Sequence, residues 1–249
     1  MKFITSISPR RIERQQYCMA TWLLYGEIAA FQTAGEIPSL QPHFPDVQFV
    51  ATEKTGASIF GYPSRVNISA LIEQGPGLLI NSDIKIVTNQ KQFDSDWEPK
   101  LRQFNVGVRY DFDAPGKPKF LNKHGIDAFL ITEEVMPLME DHGFVIGVPV
   151  WDSWIVWHML THRFRIKTKL TPGLLHLNHP MGWSDADLAK GIAIMQQEYG
   201  IGQRGLSSAI SDLTGRMHVK KGRRGTTTRS FPSPQCQYFT LGCGTKKSF

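Results

Sequence analysis

The chain has 249 residues, of which 41% are hydrophobic and 20% charged, so it carries enough apolar material for one sizeable folded core. This composition argues against a mainly disordered chain, and no apolar run approaches the roughly 18–20 residues that a membrane span requires. The N-terminus lacks the pattern of a secretory signal, and three cysteines without a CxxC spacing indicate neither a disulfide framework nor a zinc finger. A reducing, cytoplasmic setting is therefore expected.

The net charge of +6 is unevenly distributed along the chain. Residues 201–249 contain nine Lys or Arg and one Asp, which gives a net charge of +8, whereas residues 1–200 carry −2. A basic segment after a nearly neutral body favours a polyanionic partner or a phosphate-bearing ligand, although it could also serve only as a solubilising tail. We expect one folded domain over residues 1–200 and an irregular basic C-terminal segment over residues 201–249.

Strand and helix patterns alternate in the first part of the chain. The apolar patterns predict strands over residues 3–7, 27–31, 47–51 and 77–84. Helical spacing predicts helices over residues 11–25, 35–40 and 66–73. Strands separated by helices of this length imply right-handed βαβ units. The predicted fold class is therefore α/β and Rossmann-like, with a mostly parallel central sheet flanked by helices.

The middle of the chain is less regular. Residues 94–123 mix charged residues with prolines, which favours surface loops or a β excursion. Residues 125–132 return to strand character, and residues 151–162 are predicted to form a helix. One more helix is predicted over residues 185–199, with Ser184 as its N-terminal cap.

The strongly apolar segment that begins at residue 77 ends in Asn81-Ser82-Asp83. In open parallel sheets, ligands bind at the edge formed by the carboxyl ends of the strands. A carboxylate with an amide two residues earlier suits Mg²⁺ or Mn²⁺ shared with a diphosphate, since these ions prefer oxygen ligands. The alternative is that Ser82 and Asp83 only form a turn or cap after the strand.

Five segments in this order carry a resemblance to a known superfamily: FITSISPRRIERQQYCMATWLLYG, LINSDI, GIDAFLI, GVPVWDSWIVWHML and LHLNHP. Together they resemble the nucleotide-sugar glycosyltransferases of the GT-A fold, and more narrowly a bacterial and phage group within it. The resemblance covers roughly residues 1–180. It implies a GT-A fold and a metal-assisted transfer of a sugar from a nucleotide-diphosphate donor, such as a UDP-sugar, to an acceptor hydroxyl.

In that superfamily a DxD motif after the fourth strand holds the metal on the donor's diphosphate. Here Asn81 replaces the first aspartate, which leaves Asp83 as the implied ligand and puts metal dependence itself in question. Many GT-A enzymes complete the metal shell with a late histidine, so His176 and His179 are candidates. We favour His179, because its neighbours suggest a fixed loop. A structural histidine remains the alternative.

The resemblance also implies which residues line the donor. They are Thr5, Ser6 and Ile7 at the end of the first strand, the following Arg10, Arg11 and Arg14, and Asn81, Ser82 and Asp127. Backbone groups at a strand end can read a pyrimidine edge, and arginine offers bidentate contacts to phosphate. The alternatives are arginines on a solvated helical turn, where the helix dipole disfavours them, and a buried structural hydrogen bond for Asp127.

A carboxylate, Asp152, stands at the start of the predicted helix over residues 151–162. In inverting GT-A enzymes an acidic residue in a comparable place deprotonates the acceptor hydroxyl, so the resemblance implies that Asp152 is the general base. A helix-capping carboxylate is the alternative. Trp151 and Trp154 could stack on an acceptor sugar or base, or they could belong to the core.

The basic segment supports a second class of function. Lys220, Lys221, Arg223 and Arg224 could grip a polyanion or close over the donor diphosphate. A nucleic-acid-binding protein is therefore an alternative, although no helix-turn-helix, RRM or zinc signature is present. The two hypotheses merge in an enzyme that glycosylates a modified base in DNA. A degenerate protein that binds nucleotide sugars without turnover is a third hypothesis. GxSxG and Walker A patterns are absent.

Overall fold

A computed structural model of the protein describes residues 1–112, 120–169, 173–179, 182–202 and 205. Its strands are β1 Lys2–Thr5, β2 Glu27–Gln32, β3 Val47–Ala51, β4 Thr55–Gly56, β5 Tyr62–Val66, β6 Gly77–Ile80, β7 Ile84–Ile86, β8 Gln103–Phe112, β9 Phe120–Ile131, β10 Arg165–Lys169 and β11 Leu174–Leu177. Its helices are α1 Ile12–Met19, α2 Ile37–Leu40, α3 Ala57–Phe60, α4 Ile68–Ile72, α5 Gln90–Asp96, α6 Trp151–Thr161 and α7 Asp185–Tyr199. Nearly all of the expected basic segment lies outside these residues.

The central sheet has the strand order β3-β2-β1-β6-β9-β8-β11-β7, and β10 pairs with the first half of β8. Strands β3, β2, β1 and β6 are parallel to one another. Strand β9 runs antiparallel to both of its neighbours, β6 and β8, and β11 is parallel to β8. The predicted α/β class with a mostly parallel sheet is therefore confirmed. A short antiparallel hairpin, β4–β5, lies outside this sheet.

Helices cover both faces of the sheet. Successive residues of a strand point to opposite faces, so Phe3 belongs to one buried cluster and Ile4 to the other. Helices α1, α2 and α5 pack on the Phe3 face, and α4, α6 and α7 pack on the Ile4 face. Among the described residues, no helix combines the length and apolar character needed to cross a bilayer.

The structure corrects several predicted boundaries. Residues 94–123, predicted as loops or a β excursion, contain the end of α5, all of β8 and the start of β9, two strands inside the main sheet. The predicted strand over residues 77–84 stops at Ile80 and resumes as β7 after a turn. The predicted helix over residues 11–25 ends at Met19 and is followed by a separate 3-10 turn.

Helix α7 has the predicted bounds and cap. Ser184 accepts a hydrogen bond from the Asp187 backbone N–H, while the Asp187 carboxylate accepts one from the Ser184 N–H at 2.8 Å. This reciprocal pair satisfies two donors at the start of the helix. Tyr62 also donates its hydroxyl to Asp187 at 2.8 Å, so the cap ties α7 to strand β5.

We predict that Gly191→Ala lowers the free energy of unfolding. A Cβ at Gly191 would lie 2.9 Å from Val150 Cγ2 and 3.1 Å from the Pro149 carbonyl oxygen, because α7 approaches the turn before α6 closely here. Overpacking should cost about 1–3 kcal/mol and outweigh the roughly 1 kcal/mol that alanine gains in a helix. Urea unfolding measures the change, and Ala189→Gly, at an exposed position of α7, reports the helix-propensity term. A stabilised Gly191→Ala variant would contradict the close contact.

Candidate functional site

The candidate site lies at one edge of the central sheet. Strands β6, β8 and β11 all end there, because β9 is antiparallel to β6 and β8, and β11 is parallel to β8. The sheet register sets His176 beside Asp111 of β8 and, on the other side, beside Ile84 of β7. Asp83 immediately precedes Ile84, so the pairing of β11 brings His176 next to the turn that follows β6.

Asp83, His176 and His179 form a candidate metal-binding group. The Asp83 Oδ2 atom lies 2.8 Å from His179 Nε2 and 3.5 Å from His176 Nε2. One ligand atom from each residue lies within 4.8 Å of the other two, a spacing that would suit a shared cation. The predicted meeting of Asp83 with a late histidine is therefore observed, and both histidines take part.

A second carboxylate orients His176. Its Nδ1 atom lies 3.0 Å from Asp111 Oδ1. Burial alone would lower the pKa of His176, but hydrogen bonds to Asp111 and Asp83 outweigh it and raise the pKa to about 9. Metal-binding histidines commonly donate their other ring N–H to a carboxylate, which fixes the ring and exposes the ligating nitrogen. The Asp111–His176 pair has that arrangement.

Burial and hydrogen bonding act in opposite directions on Asp83. Burial favours its neutral form, but the two histidines hold the pKa of its carboxyl well below the usual range. Asp83 is therefore ionised at neutral pH, as a metal ligand must be. Because the protonated His176 partly neutralises it, a cation entering the group would displace a proton from His176.

His179 is oriented differently. Its Nδ1 atom lies 2.7 Å from an Arg11 guanidinium nitrogen. A guanidinium has donors only, so His179 accepts through Nδ1 and donates its Nε2–H to Asp83. For Nε2 to bind a metal, the ring would have to change tautomer and Arg11 would have to move. The structure thus favours His176 over His179 as the better-prepared ligand, the reverse of the expectation from sequence.

Arg109 connects this group to the neighbouring strand β9. Its guanidinium lies 2.9 Å from Asp111 Oδ1 and 2.7 Å from Asp127 Oδ2. Burial disfavours the charged guanidinium, but the two carboxylates outweigh this effect and raise the pKa of Arg109. Asp127 itself is buried and paired. The structural hydrogen-bond alternative for Asp127 is the arrangement observed.

The geometry explains why asparagine stands at position 81. Asn81 Nδ2 donates to Asp127 Oδ1 at 2.5 Å. An aspartate there would set two carboxylates against each other in a partly buried site, which is unfavourable. Asn81 therefore acts as the hydrogen-bond partner of Asp127, and Asp83 is the carboxylate of this motif that meets the two histidines.

Asp152 lies in the first turn of α6, where its Oδ1 accepts a hydrogen bond from the Ser153 N–H at 2.8 Å. Burial raises the pKa of the Asp152 carboxyl to about 6, repulsion from Asp127 adds to the rise, and Arg109 opposes it. Asp152 is thus close enough to feel the buried ion pair beside the metal group. Its raised pKa is a property that a general base needs and a solvated cap lacks.

The end of β1 is tied to β2 by Gln32, which no sequence pattern marked as a site residue. Gln32 accepts from Ser6 Oγ at 2.6 Å and from the Ile7 N–H at 3.3 Å, and its amide donates to the Ile7 carbonyl. Thr5 is fully buried. The Ile7 backbone groups expected to read a base are therefore already paired, and a base could reach them only if Gln32 moved.

The expected donor arginines occupy three different positions. Arg11 contacts His179, Arg14 donates to the Leu177 carbonyl at 3.2 Å, and Arg10 is exposed. Arg11 and Arg14 thus both contact the segment at the end of β11 that carries the histidines. Arg10 and Arg11 are both exposed, whereas Arg14 is half-buried.

Gln15 holds the loop between β1 and α1 against the turn after β6. Its side-chain oxygen accepts from Ser82 Oγ at 2.7 Å and from the Ser8 N–H at 2.8 Å. Its amide donates to the carbonyls of Ser8 and Arg10. Ser82, expected at the donor, is therefore a buried hydrogen-bond donor within the protein.

The two tryptophans belong to the core. Trp151 is 3% exposed and Trp154 is 1% exposed. Trp151 meets Phe129 edge-on at 5.2 Å between ring centroids, and Trp154 stacks on Phe144 at 4.9 Å. Neither indole face is open to a ligand, so the core alternative is the one observed and the stacking role is corrected.

Sequence patterns did not mark Arg109, Asp111, Gln15 or Gln32 as residues of the site. Arg109 and Asp111 are two positions apart on β8 and so share a face of the strand. The sequence does not reveal this shared face, because the pattern of residues 94–123 predicts surface loops or a β excursion. Gln15 lies on the buried face of α1 with no charge to mark it. The predicted contacts of Lys220, Lys221, Arg223 and Arg224 lie outside the described residues.

No protein-family model and no curated protein matches this chain.

We predict that Asp152→Asn increases the free energy of unfolding above about pH 6 and changes it little near pH 4. The folded-state pKa of about 6 lies above the unfolded value of roughly 4. The free energy of unfolding of the wild-type protein therefore falls as the pH rises from about 4 to about 6, because the buried carboxyl ionises. Because Asp152 is partly exposed, we expect a gain of about 1–2 kcal/mol. Urea unfolding from pH 4 to 8 measures it. A difference that stays constant over this range would contradict the raised pKa.

Proposed function

We propose that the protein is a metal-assisted glycosyltransferase of the GT-A type, which moves a sugar from a nucleotide-diphosphate donor to an acceptor hydroxyl. The observation that carries this proposal is the group formed by Asp83, His176 and His179 at the carboxyl end of β6. β6 extends the parallel run β3-β2-β1-β6, and Asp83 lies in the turn after its end, while His176 and His179 come from β11 and the residues that follow it. This is the place where the resemblance implies a donor-bound metal.

The donor set indicates which cation the group would prefer. Imidazole nitrogens suit Fe²⁺ and Zn²⁺ best, and of the two ions expected from sequence Mn²⁺ accepts two imidazoles beside a carboxylate more readily than Mg²⁺, which keeps to oxygen ligands. Mn²⁺ is therefore the better of the two ions expected from sequence. When bound by Asp83 and His176, with His179 as the third ligand, such a cation would neutralise charge on the leaving diphosphate.

Asp152 is the proposed general base. With a pKa of about 6, its carboxyl is largely ionised at neutral pH and can still accept a proton effectively. In the proposed step the acceptor oxygen attacks the anomeric carbon, the bond from that carbon to the diphosphate oxygen breaks, and the acceptor proton passes to the Asp152 carboxylate. A positioned base of this kind contributes roughly 10²–10⁴-fold to the rate.

The positive side chains near the group support a phosphate-bearing substrate. Arg11 contacts His179, and Arg10 precedes it in an exposed position at the start of α1. Arginine forms bidentate contacts with phosphate oxygens, so these residues are suited to hold the leaving diphosphate. DNA as the acceptor stays a prediction, because the basic segment that supports it lies outside the described residues.

The donor set also favours a second candidate function. Two histidines and one carboxylate with open positions are typical of mononuclear iron oxygenases. This alternative predicts Fe²⁺-dependent oxygen consumption and no effect of nucleotide sugars. The third hypothesis, a binding protein without turnover, loses its main sequence argument, because Asn81 has a structural reason for replacing aspartate.

We predict that nucleotide sugars raise the thermal midpoint of the wild-type protein in the presence of Mn²⁺, and that Asp83→Asn removes this shift. Ligands that bind the native state stabilise it by mass action. A panel of UDP-, GDP- and dTDP-sugars, with and without Mn²⁺, identifies the donor. Asp46→Asn, at an exposed position, is the matched control. A metal-dependent shift that persists in Asp83→Asn would remove Asp83 from the site.

We predict that Asp152→Asn leaves donor affinity nearly unchanged but lowers turnover at least about 100-fold, as loss of a general base should. Release of the nucleoside diphosphate in the presence of acceptor measures turnover. Asp185→Asn is the matched control, because Asp185 is an exposed aspartate in the first turn of α7. Equal activity of both variants would make Asp152 a helix cap only.

A further inference from the structure

Arg109 contacts two carboxylates, and one of them also contacts a histidine of the candidate metal group. It extends from β8 and lies between two buried carboxylates, 2.9 Å from Asp111 Oδ1 and 2.7 Å from Asp127 Oδ2. The same Asp111 oxygen lies 3.0 Å from His176 Nδ1. One guanidinium therefore holds the carboxylate that orients a candidate metal ligand.

The sheet provides space for this guanidinium at one glycine. Gly125 lies on β9, and an added Cβ would lie 2.6 Å from Arg109 Nε and 2.9 Å from Arg109 Cγ. Real Cβ atoms are not found so close to other atoms, so any larger residue would displace the Arg109 side chain. Gly125 does not have a positive φ, so its backbone conformation does not require glycine. The close approach of the Arg109 side chain does require it.

We propose that Arg109 is a positioning residue for the metal group: by bridging Asp127 and Asp111 it keeps Asp111 on His176 Nδ1 and so keeps His176 Nε2 aimed at Asp83. This inference rests on the metal centre of the proposed function and does not depend on sugar transfer. It assigns to Arg109, Asp111 and Gly125 one shared task.

The physical reason is the cost of an unpaired buried charge. Without Arg109, the Asp111 and Asp127 carboxylates would share a buried edge with no cation between them, and removing one partner of such a pair is strongly unfavourable. Lysine would keep the charge, but its single ammonium lacks the planar fork that contacts two carboxylates at once. Asp111 would then be free to turn away from His176.

The test measures Mn²⁺ affinity by calorimetry on the full chain, with no substrate present. Arg109→Lys keeps the charge, and Gly125→Ala displaces the guanidinium without altering any ionisable group. We expect each variant to bind Mn²⁺ about 10–100-fold more weakly than wild type, as loss of a hydrogen-bonded partner of a metal ligand does. Arg102→Lys, at an exposed arginine paired with Glu134, and Gly35→Ala, which adds a Cβ in open space, are the matched controls.

A measurement on the wild-type protein keeps the proposal decidable if both variants fail to fold. With Zn²⁺ as a diamagnetic probe, histidine ¹⁵N spectra should show His176 bound to the metal through Nε2 and protonated at Nδ1. Coordination through Nδ1, or no coordination of His176, would overturn the proposal. So would Mn²⁺ affinity that is unchanged in either folded variant.

These outcomes separate the inference from the proposed function. Tight Mn²⁺ binding that weakens in both variants, together with no nucleotide-sugar binding by wild type, would sustain the role of Arg109 and reject the glycosyltransferase. If Arg109→Lys instead keeps donor binding, turnover and Mn²⁺ affinity unchanged, the role of Arg109 is rejected and the glycosyltransferase is sustained.

Discussion

A network of alternating charges runs across one edge of the sheet, and the rest of the site depends on it. Asp127, Asp111 and His176 are buried in it, and Arg109 and Asp83 are partly exposed. Asp127, Arg109, Asp111, His176 and Asp83 follow one another in contact, from β9 through β8 and β11 to the turn after β6. Each buried ion costs several kcal/mol to desolvate, so each requires its neighbour. This network of charges therefore constrains the sheet register and the side chains that can lie beside it.

The same network gives two carboxylates opposite properties. The histidines hold the pKa of Asp83 low, so it stays ionised as a ligand, whereas burial and the nearby Asp127 raise the pKa of Asp152 to about 6. Titratable groups whose surroundings separate their pKa values in this way are typical of sites that divide metal binding from proton transfer. The division supports Asp83 as the ligand and Asp152 as the base.

Two strained backbone positions adjoin these residues. Val150, directly before α6, has a φ of 84°, and Arg11, directly before α1, has a φ of 63°. Positive φ is costly for a β-branched residue and is retained where surrounding structure enforces it. Val150, two residues before Asp152, packs closely against Gly191 of α7. At Arg11 the strained residue is also the one that contacts His179.

Hydrophobic periodicity and capping are local properties, so the sequence by itself determined the α/β class and the bounds of α7 with its Ser184 cap. The resemblance, and not a pattern in the residues themselves, implied that a late histidine would join Asp83. Only the tertiary structure decided which histidine is well oriented, why asparagine stands at position 81, and that β8 lies inside the sheet. The physical reason is that buried charges are paired by strand register, and register joins residues far apart in the chain, whereas sequence patterns report only neighbours.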